Sequence, residues 1–120
     1  MFDHIGLHVT NLDASVRFYE AVLAPLGYVL CSRDATGAGF GLPDEPALWL
    51  YTDPAATATH IAFRAGNRAA VDQFHRRGLE IGGRDHGAPG VRADYAATYY
   101  AAFLRDPDGN NVEAVCMAAR

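Results

Sequence analysis

Apolar and polar positions alternate through DHIGLHV (residues 3–9), with Ile5, Leu7 and Val9 on one face and His4, Gly6 and His8 on the other. A period of two predicts a strand with one face buried. The period then lengthens. In TNLDASVRFYEAVLAPLG, Val16, Tyr19 and Leu23 recur at i, i+3 and i+7, and Phe18 and Val22 widen the stripe into the face of a helix. Asp13 is the expected N-cap with Leu12 as a staple before it, and Pro25 and Gly27 close the helix. Short strands are expected around 28–33, 38–42 and 47–52.

The same order then returns. THIAFRA (residues 59–65) puts Ile61 and Phe63 on one face and His60, Ala62 and Arg64 on the other. GNRAAVDQFHRRG follows, with Asn67 as cap, Val71 and Phe74 as the apolar positions, and Gly78 in the left-handed place that ends a helix. Strands are expected near 79–84, 97–105 and 111–117. His4 and His60 stand 56 positions apart, as do Phe18 and Phe74. The prediction is an α+β fold of two βαβββ modules, about 1–55 and about 56–120, within one domain spanning 1–120. Each helix covers one face of a mostly antiparallel sheet. The other, concave face is left for a second sheet, a partner chain or a ligand. Ile5, Leu7, Ile61 and Phe63 suit the helix side, so His4 and His60 face the concave side.

The closing segment, FLRDPDGNNVEAVCM, adds a third group to that side. Asp106-Pro107-Asp108-Gly109 reads as a hairpin turn, with Gly109 in a left-handed position. Val112, Ala114 and Cys116 suit the helix side of the next strand, which places Glu113 on the concave face. As a calcium loop the segment fails, because position six is Asn111 and the glutamate falls at position eight. Two imidazoles and a carboxylate, His4, His60 and Glu113, form a donor set for one divalent ion (Zn, Fe, Mn, Ni or Co) with open positions for water or substrate.

Composition narrows the function classes. The chain has 120 residues, 50% hydrophobic and 20% charged, which suits a folded core. A formal net charge of −4, with Arg76-Arg77 as the longest basic run, argues against a nucleic-acid partner. No apolar run reaches membrane-spanning length, and no signal peptide is evident. Cys31 and Cys116 have neither CxxC spacing nor a secreted context, so they read as reduced thiols of a cytoplasmic protein.

The stretch RDHGAPGVRADYAATYYAAF (residues 84–103) is expected to be a loop over the concave face. Arg92 there suits a clamp on a substrate carboxylate or phosphate, and a tyrosine hydroxyl such as that of Tyr100 suits donation to an oxyanion. The other reading is an ordinary loop whose tyrosines pack at a dimer interface. His8, Trp49, Tyr51, Tyr95 and Tyr99 are the further cleft candidates, with Phe40 beside them. Two modules alone leave concave surface uncovered, and a homodimer would bury it.

DHIGLHVTNLDASVRFYEAVLAPLG, the second HIAF and YYAAFLRDPDGNNVEAV together resemble the vicinal oxygen chelate superfamily. That family holds glyoxalase I, fosfomycin resistance enzymes, methylmalonyl-CoA epimerase, extradiol dioxygenases and bleomycin-binding proteins. The resemblance spans essentially the whole chain and implies the glyoxalase-like fold of paired βαβββ modules with a concave mixed sheet. It implies His4, His60 and Glu113 as metal ligands, with Glu113 also as the catalytic carboxylate. Trp49 or Tyr51 in PALWLYT stands where glyoxalase-type enzymes place a further glutamate, and Glu45 precedes the expected strand. Gly6 stands where the fosfomycin enzymes carry a threonine. The implied activity is therefore a class: a metal-dependent lyase, isomerase or dioxygenase-like enzyme chelating vicinal oxygens of a small molecule. The alternative is a non-catalytic, bleomycin-resistance-like dimer that binds an aromatic or cationic ligand. Relatives combine modules from different chains, so a site drawing on two copies and a site within one chain both fit.

Overall fold

Residues 1–119 are described by a computed structural model. The opening alternation forms β1 (Ile5–Val9), and the 3.6-residue stripe forms α1 (Leu12–Leu23). One 3₁₀ turn, Ala24–Leu26, carries the chain to Gly27, whose φ of 92° ends the helical run in the left-handed region. Then come β2 (Val29–Arg33), β3 (Gly37–Leu42) and β4 (Glu45–Thr52). The second module repeats the order as β5 (His60–Arg64), α2 (Arg68–Glu80), β6 (Arg84–Val91), β7 (Tyr100–Arg105) and β8 (Asn111–Cys116).

The strands make two four-stranded mixed sheets, ordered β1-β4-β3-β2 and β5-β8-β7-β6. In each, the first strand lies parallel to the last, and the remaining pairs are antiparallel. The two modules thus share one topology. Leu7, Val9, Val16, Tyr19, Val22, Phe40 and Leu50 are buried on the first side of the core, and Val71, Phe74, Leu104 and Val112 on the second. Each large apolar side chain so buried contributes about 1.5–3 kcal/mol. Ile5 keeps the expected parity, opposite buried Leu48, without being fully covered. It sits at the end of β1 and remains partly exposed.

Three boundaries differ from the sequence expectation. The N-cap of α1 is Asn11, whose side chain accepts from Ala14 N, while Asp13 lies in the first turn and pairs with Arg33. Gly78 lies inside α2, and Gly82 (φ 94°) takes the left-handed place after it. Gly78 is small for another reason: a Cβ there would stand 2.2 Å from Leu104 Cδ1 and 3.1 Å from Val22 Cγ1, so α2 presses at this point on both β7 and α1. The helix therefore runs on to Glu80, a turn follows, and β6 occupies much of the segment expected to be a loop. As an edge strand with register shifts, β6 tolerates Pro89 and its glycines.

The Asp-Pro-Asp-Gly turn ties the modules together. Asp106 is buried, and its Oδ1 accepts from the backbone N–H groups of Asp108 and Asn110 at 2.9 and 2.8 Å. Its Oδ2 accepts from Tyr19 OH of α1 at 2.6 Å and from Asn110 Nδ2 at 2.8 Å. Asp108 accepts from the backbone N–H and hydroxyl of Thr10, beyond β1.

Candidate functional site

The concave face of the second sheet is built from alternate residues of three strands. Register places His60 opposite Asn111, and Glu113 opposite both Ala62 and Phe103. The helix-side set Val112, Ala114 and Cys116 is buried in the core, as the alternation predicts, and this turns Glu113 to the concave side. Glu113 itself is only 3% exposed.

His60 presents Nδ1 to the carbonyl oxygen of Asn111 at 3.0 Å and Nε2 to Glu113 Oε1 at 3.1 Å. A proton on Nδ1 donates to that carbonyl and leaves a lone pair on Nε2. That lone pair and the carboxylate oxygen then face each other, an arrangement that calls for a proton or a cation between them. Tyr99 donates its hydroxyl to the other carboxylate oxygen, Oε2. Burial, then the hydrogen bond to Glu113 and its charge, push the Tyr99 phenol up to about 12, so it remains a donor at neutral pH.

Aromatic and cationic groups surround this pair. Phe103 stacks beside the His60 ring, with centroids 6.5 Å apart and planes at 25°. The Arg92 guanidinium lies 5.4 Å over Phe103 and donates to the Ala88 carbonyl at 2.7 Å. Tyr95 meets Tyr99 edge-on at 5.0 Å. Tyr100 turns the other way. Its hydroxyl donates to Asp72 of α2 at 2.5 Å, and Arg68 stacks on its ring. Of the two adjacent tyrosines, Tyr99 therefore reaches Glu113.

The donor set can be tested for a divalent ion. Ligands about 2.1 Å from a first-row ion, at angles between a right angle and the tetrahedral one, stand about 3.0–3.4 Å apart. The 3.1 Å between His60 Nε2 and Glu113 Oε1 lies in that range. Asn111 adds a buried side-chain oxygen, Oδ1, without a hydrogen-bond partner among the described residues. His4 lies elsewhere. It precedes β1 on the first module, is exposed, and pairs with Asp3 at 2.6 Å. Among the described residues of one chain, no three His, Cys, Asp or Glu side chains converge. His60 and Glu113 fit as two neighbouring ligands, and among the described residues no third His, Cys, Asp or Glu side chain stands beside them.

On the first sheet, β4 carries Trp49 and Tyr51 between β1 and β3. The His8 ring tilts against Tyr51 at 5.9 Å, and its Nδ1 is 2.9 Å from Asp53. The Ala55 N–H and then His8 hold the Asp53 carboxyl below its usual range. Glu45 opens β4 rather than preceding it, but stands exposed at the start of the strand. Phe40 is buried in the core. A cavity of about 200 Å³ lies by His4, walled by Ile5, Leu48, Ile61 and Phe63 among others. Sequence reasoning missed the Asn111 carbonyl, because backbone groups leave no trace in composition. It also missed Phe103, whose place directly opposite Glu113 follows only once the β7–β8 register is known.

Comparison with known proteins bears on this arrangement. The sequence profile of the Glyoxalase/Bleomycin resistance protein/Dioxygenase superfamily matches residues 1–114. An uncharacterized protein of Pseudomonas aeruginosa is 34% identical over 122 residues, covering 92% of this chain and 84% of that protein. A glyoxalase/bleomycin resistance protein from Albidiferax ferrireducens has a similar structure, with a TM-score of 0.82 and 28% identity over 97% of this chain and 98% of that one. A lactoylglutathione lyase from Agrobacterium tumefaciens shares the fold, with a TM-score of 0.71 at 20% identity, over 97% of this chain and 92% of that one.

Proposed function

We propose that this chain, which belongs to the glyoxalase/bleomycin resistance protein/dioxygenase superfamily, is a small metal-dependent enzyme that holds vicinal oxygens of a small-molecule substrate at one divalent ion. The observation that carries this reading is the pairing of His60 Nε2 with Glu113 Oε1 at 3.1 Å, with Nδ1 already occupied by the Asn111 carbonyl. His60 and Glu113 supply two ligands, and His4 of a second copy supplies the third, in a homodimer whose concave faces meet. Zinc, iron, manganese, nickel and cobalt all suit two nitrogens and one oxygen. Such an ion, when bound, stabilises negative charge developing on a substrate oxygen.

The chain's own groups supply the rest. Tyr99 holds Glu113 by its second oxygen, so the carboxylate is oriented without competing for the substrate. Arg92, layered over Phe103, brings positive charge to the same face for an anionic substrate group. The reaction class this supports is a lyase, isomerase or oxygenase step at an oxygen-rich carbon skeleton. The family resemblance and the unpaired thiols Cys31 and Cys116 support a reducing, cytoplasmic setting. Among the described residues, no helix is long and apolar enough to cross a membrane.

A second reading is a ligand-binding dimer without catalysis, favoured by the exposed rings on the first sheet. A native protein that binds its small-molecule ligand yet takes up no divalent ion on titration would favour it. The catalytic reading is tested by mixing copies. His4→Ala and His60→Ala proteins should each fail to bind Zn²⁺ at the native affinity. Unfolded and refolded together, they should regain one native site per mixed pair. Native affinity in the His60→Ala protein alone would contradict the reading.

A further inference from the structure

The first sheet carries a feature that the metal centre does not use. Its face opposite the helix is nearly bare of side chains on the strands flanking β4. β1 offers Gly6 there, and β3 offers Gly37 and Gly39. Glycine weakens a strand, so a group of three on one face needs a reason. Backbone conformation is not the reason, since none of the three has a positive φ. Space is. A Cβ on Gly39 would stand 2.7 Å from Cζ3 of Trp49, and one on Gly6 would stand 2.9 Å from Cε2 of Tyr51. The two rings therefore reach over the backbone of neighbouring strands, the indole over β3 and the phenol over β1. Gly39 is buried beneath the indole, whereas Tyr51 is 42% exposed and Trp49 half-exposed. The His8 ring, fixed by Asp53, borders this floor.

We propose that Trp49 and Tyr51 form a stacking floor for a planar aromatic ring, so that the small molecule taken by this protein carries one. The proposal rests on the small-molecule reading above and adds the substrate class. A flat ring gains stacked contact with such side chains, which a puckered ring of equal size does not. Asp53 at the border disfavours a carboxylate on that ring.

Trp49 is the single tryptophan of the chain, so its indole N–H resonance reports on the floor alone. The probes are 2-naphthol and its saturated counterpart decahydro-2-naphthol. 2-Naphthol is expected to shift the Trp49 indole resonance saturably and to bind at least about tenfold more tightly than the saturated alcohol. Gly39→Ala, which pushes a methyl group into the indole, and Tyr51→Leu should each weaken 2-naphthol binding by about tenfold or more. The His60→Ala protein should bind 2-naphthol as the native protein does, so loss of the metal site leaves this test standing. Equal affinity for the two probes, or unchanged 2-naphthol affinity in folded Tyr51→Leu protein, would overturn the proposal.

Discussion

His60 and Glu113 meet with Nε2 and Oε1 3.1 Å apart, while the outer oxygen of Glu113 is already taken by the Tyr99 hydroxyl. The carboxylate is thereby held from behind and left with one free oxygen toward the imidazole. Replacing Tyr99 with phenylalanine removes the hold and leaves both ligands in place. Zn²⁺ affinity, read by competition with a chromogenic chelator, is expected to fall about 10–100-fold in Tyr99→Phe. Unchanged affinity would mean that the hydrogen bond does not orient Glu113.

Burial, together with this hydrogen bond, sets an alkaline limit on the fold. In the folded chain burial and then the Glu113 hydrogen bond push the Tyr99 phenol up to about 12, and burial with the neighbouring Asp106 holds Tyr19 well above its ordinary value. Unfolded tyrosines ionise near the ordinary value of about 10. Above that pH the unfolded chain binds fewer protons than the folded one, so unfolding stability decreases as pH rises. The contribution is complete below pH 10 and is lost as pH climbs through 12. Urea unfolding at pH 9 and pH 11 should show lower stability at pH 11 in the native protein and a smaller drop in Tyr99→Phe. Identical drops in the two proteins would contradict the assignment.

Asp106 is a buried junction between the modules, with four donors on two oxygens. Tyr19→Phe removes one donor, and the expected loss of stability is about 1–2 kcal/mol. Asp106→Ala orphans several buried donors at once, with an expected loss of about 3 kcal/mol or more. Thermal unfolding of the two variants checks the order. A larger effect from Tyr19→Phe than from Asp106→Ala would be inconsistent with Asp106 as the common acceptor.

Gly78 predicts a reversal of sign. Gly→Ala within a helix ordinarily stabilises by up to about 1 kcal/mol. Here the added methyl group meets Leu104, which is fully buried and has little room to move. Gly78→Ala should therefore destabilise by about 1–3 kcal/mol. A raised melting temperature would show that α2 does not press on β7 there.

These residues also show what could be read before the structure. Periods of two and 3.6 located both modules, because burial on one face imposes itself on side-chain chemistry. The parity of Val112, Ala114 and Cys116 turned Glu113 to the correct side for the same reason. Gly78 reads as a cap in the sequence because a left-handed cap and a close helix contact both call for a missing side chain. β6 resembled a loop because an edge strand with bulges accepts Pro89 and several glycines. Tyr99 and Tyr100 are adjacent and chemically alike, and only the start of β7 at Tyr100 decides which one reaches Glu113. His4 could be matched to His60 by repeat, but its distance from that site depends on how the modules and copies pack, which no local pattern encodes.

The most direct measurement is a cobalt(II) titration followed by visible d–d absorption, on the native protein and on folded His60→Ala and Glu113→Gln variants. The expected result is saturation near one cobalt per chain in the native protein and loss of that absorption in both variants. A native protein that develops no cobalt absorption, or variants that titrate as it does, would contradict a metal centre at His60 and Glu113.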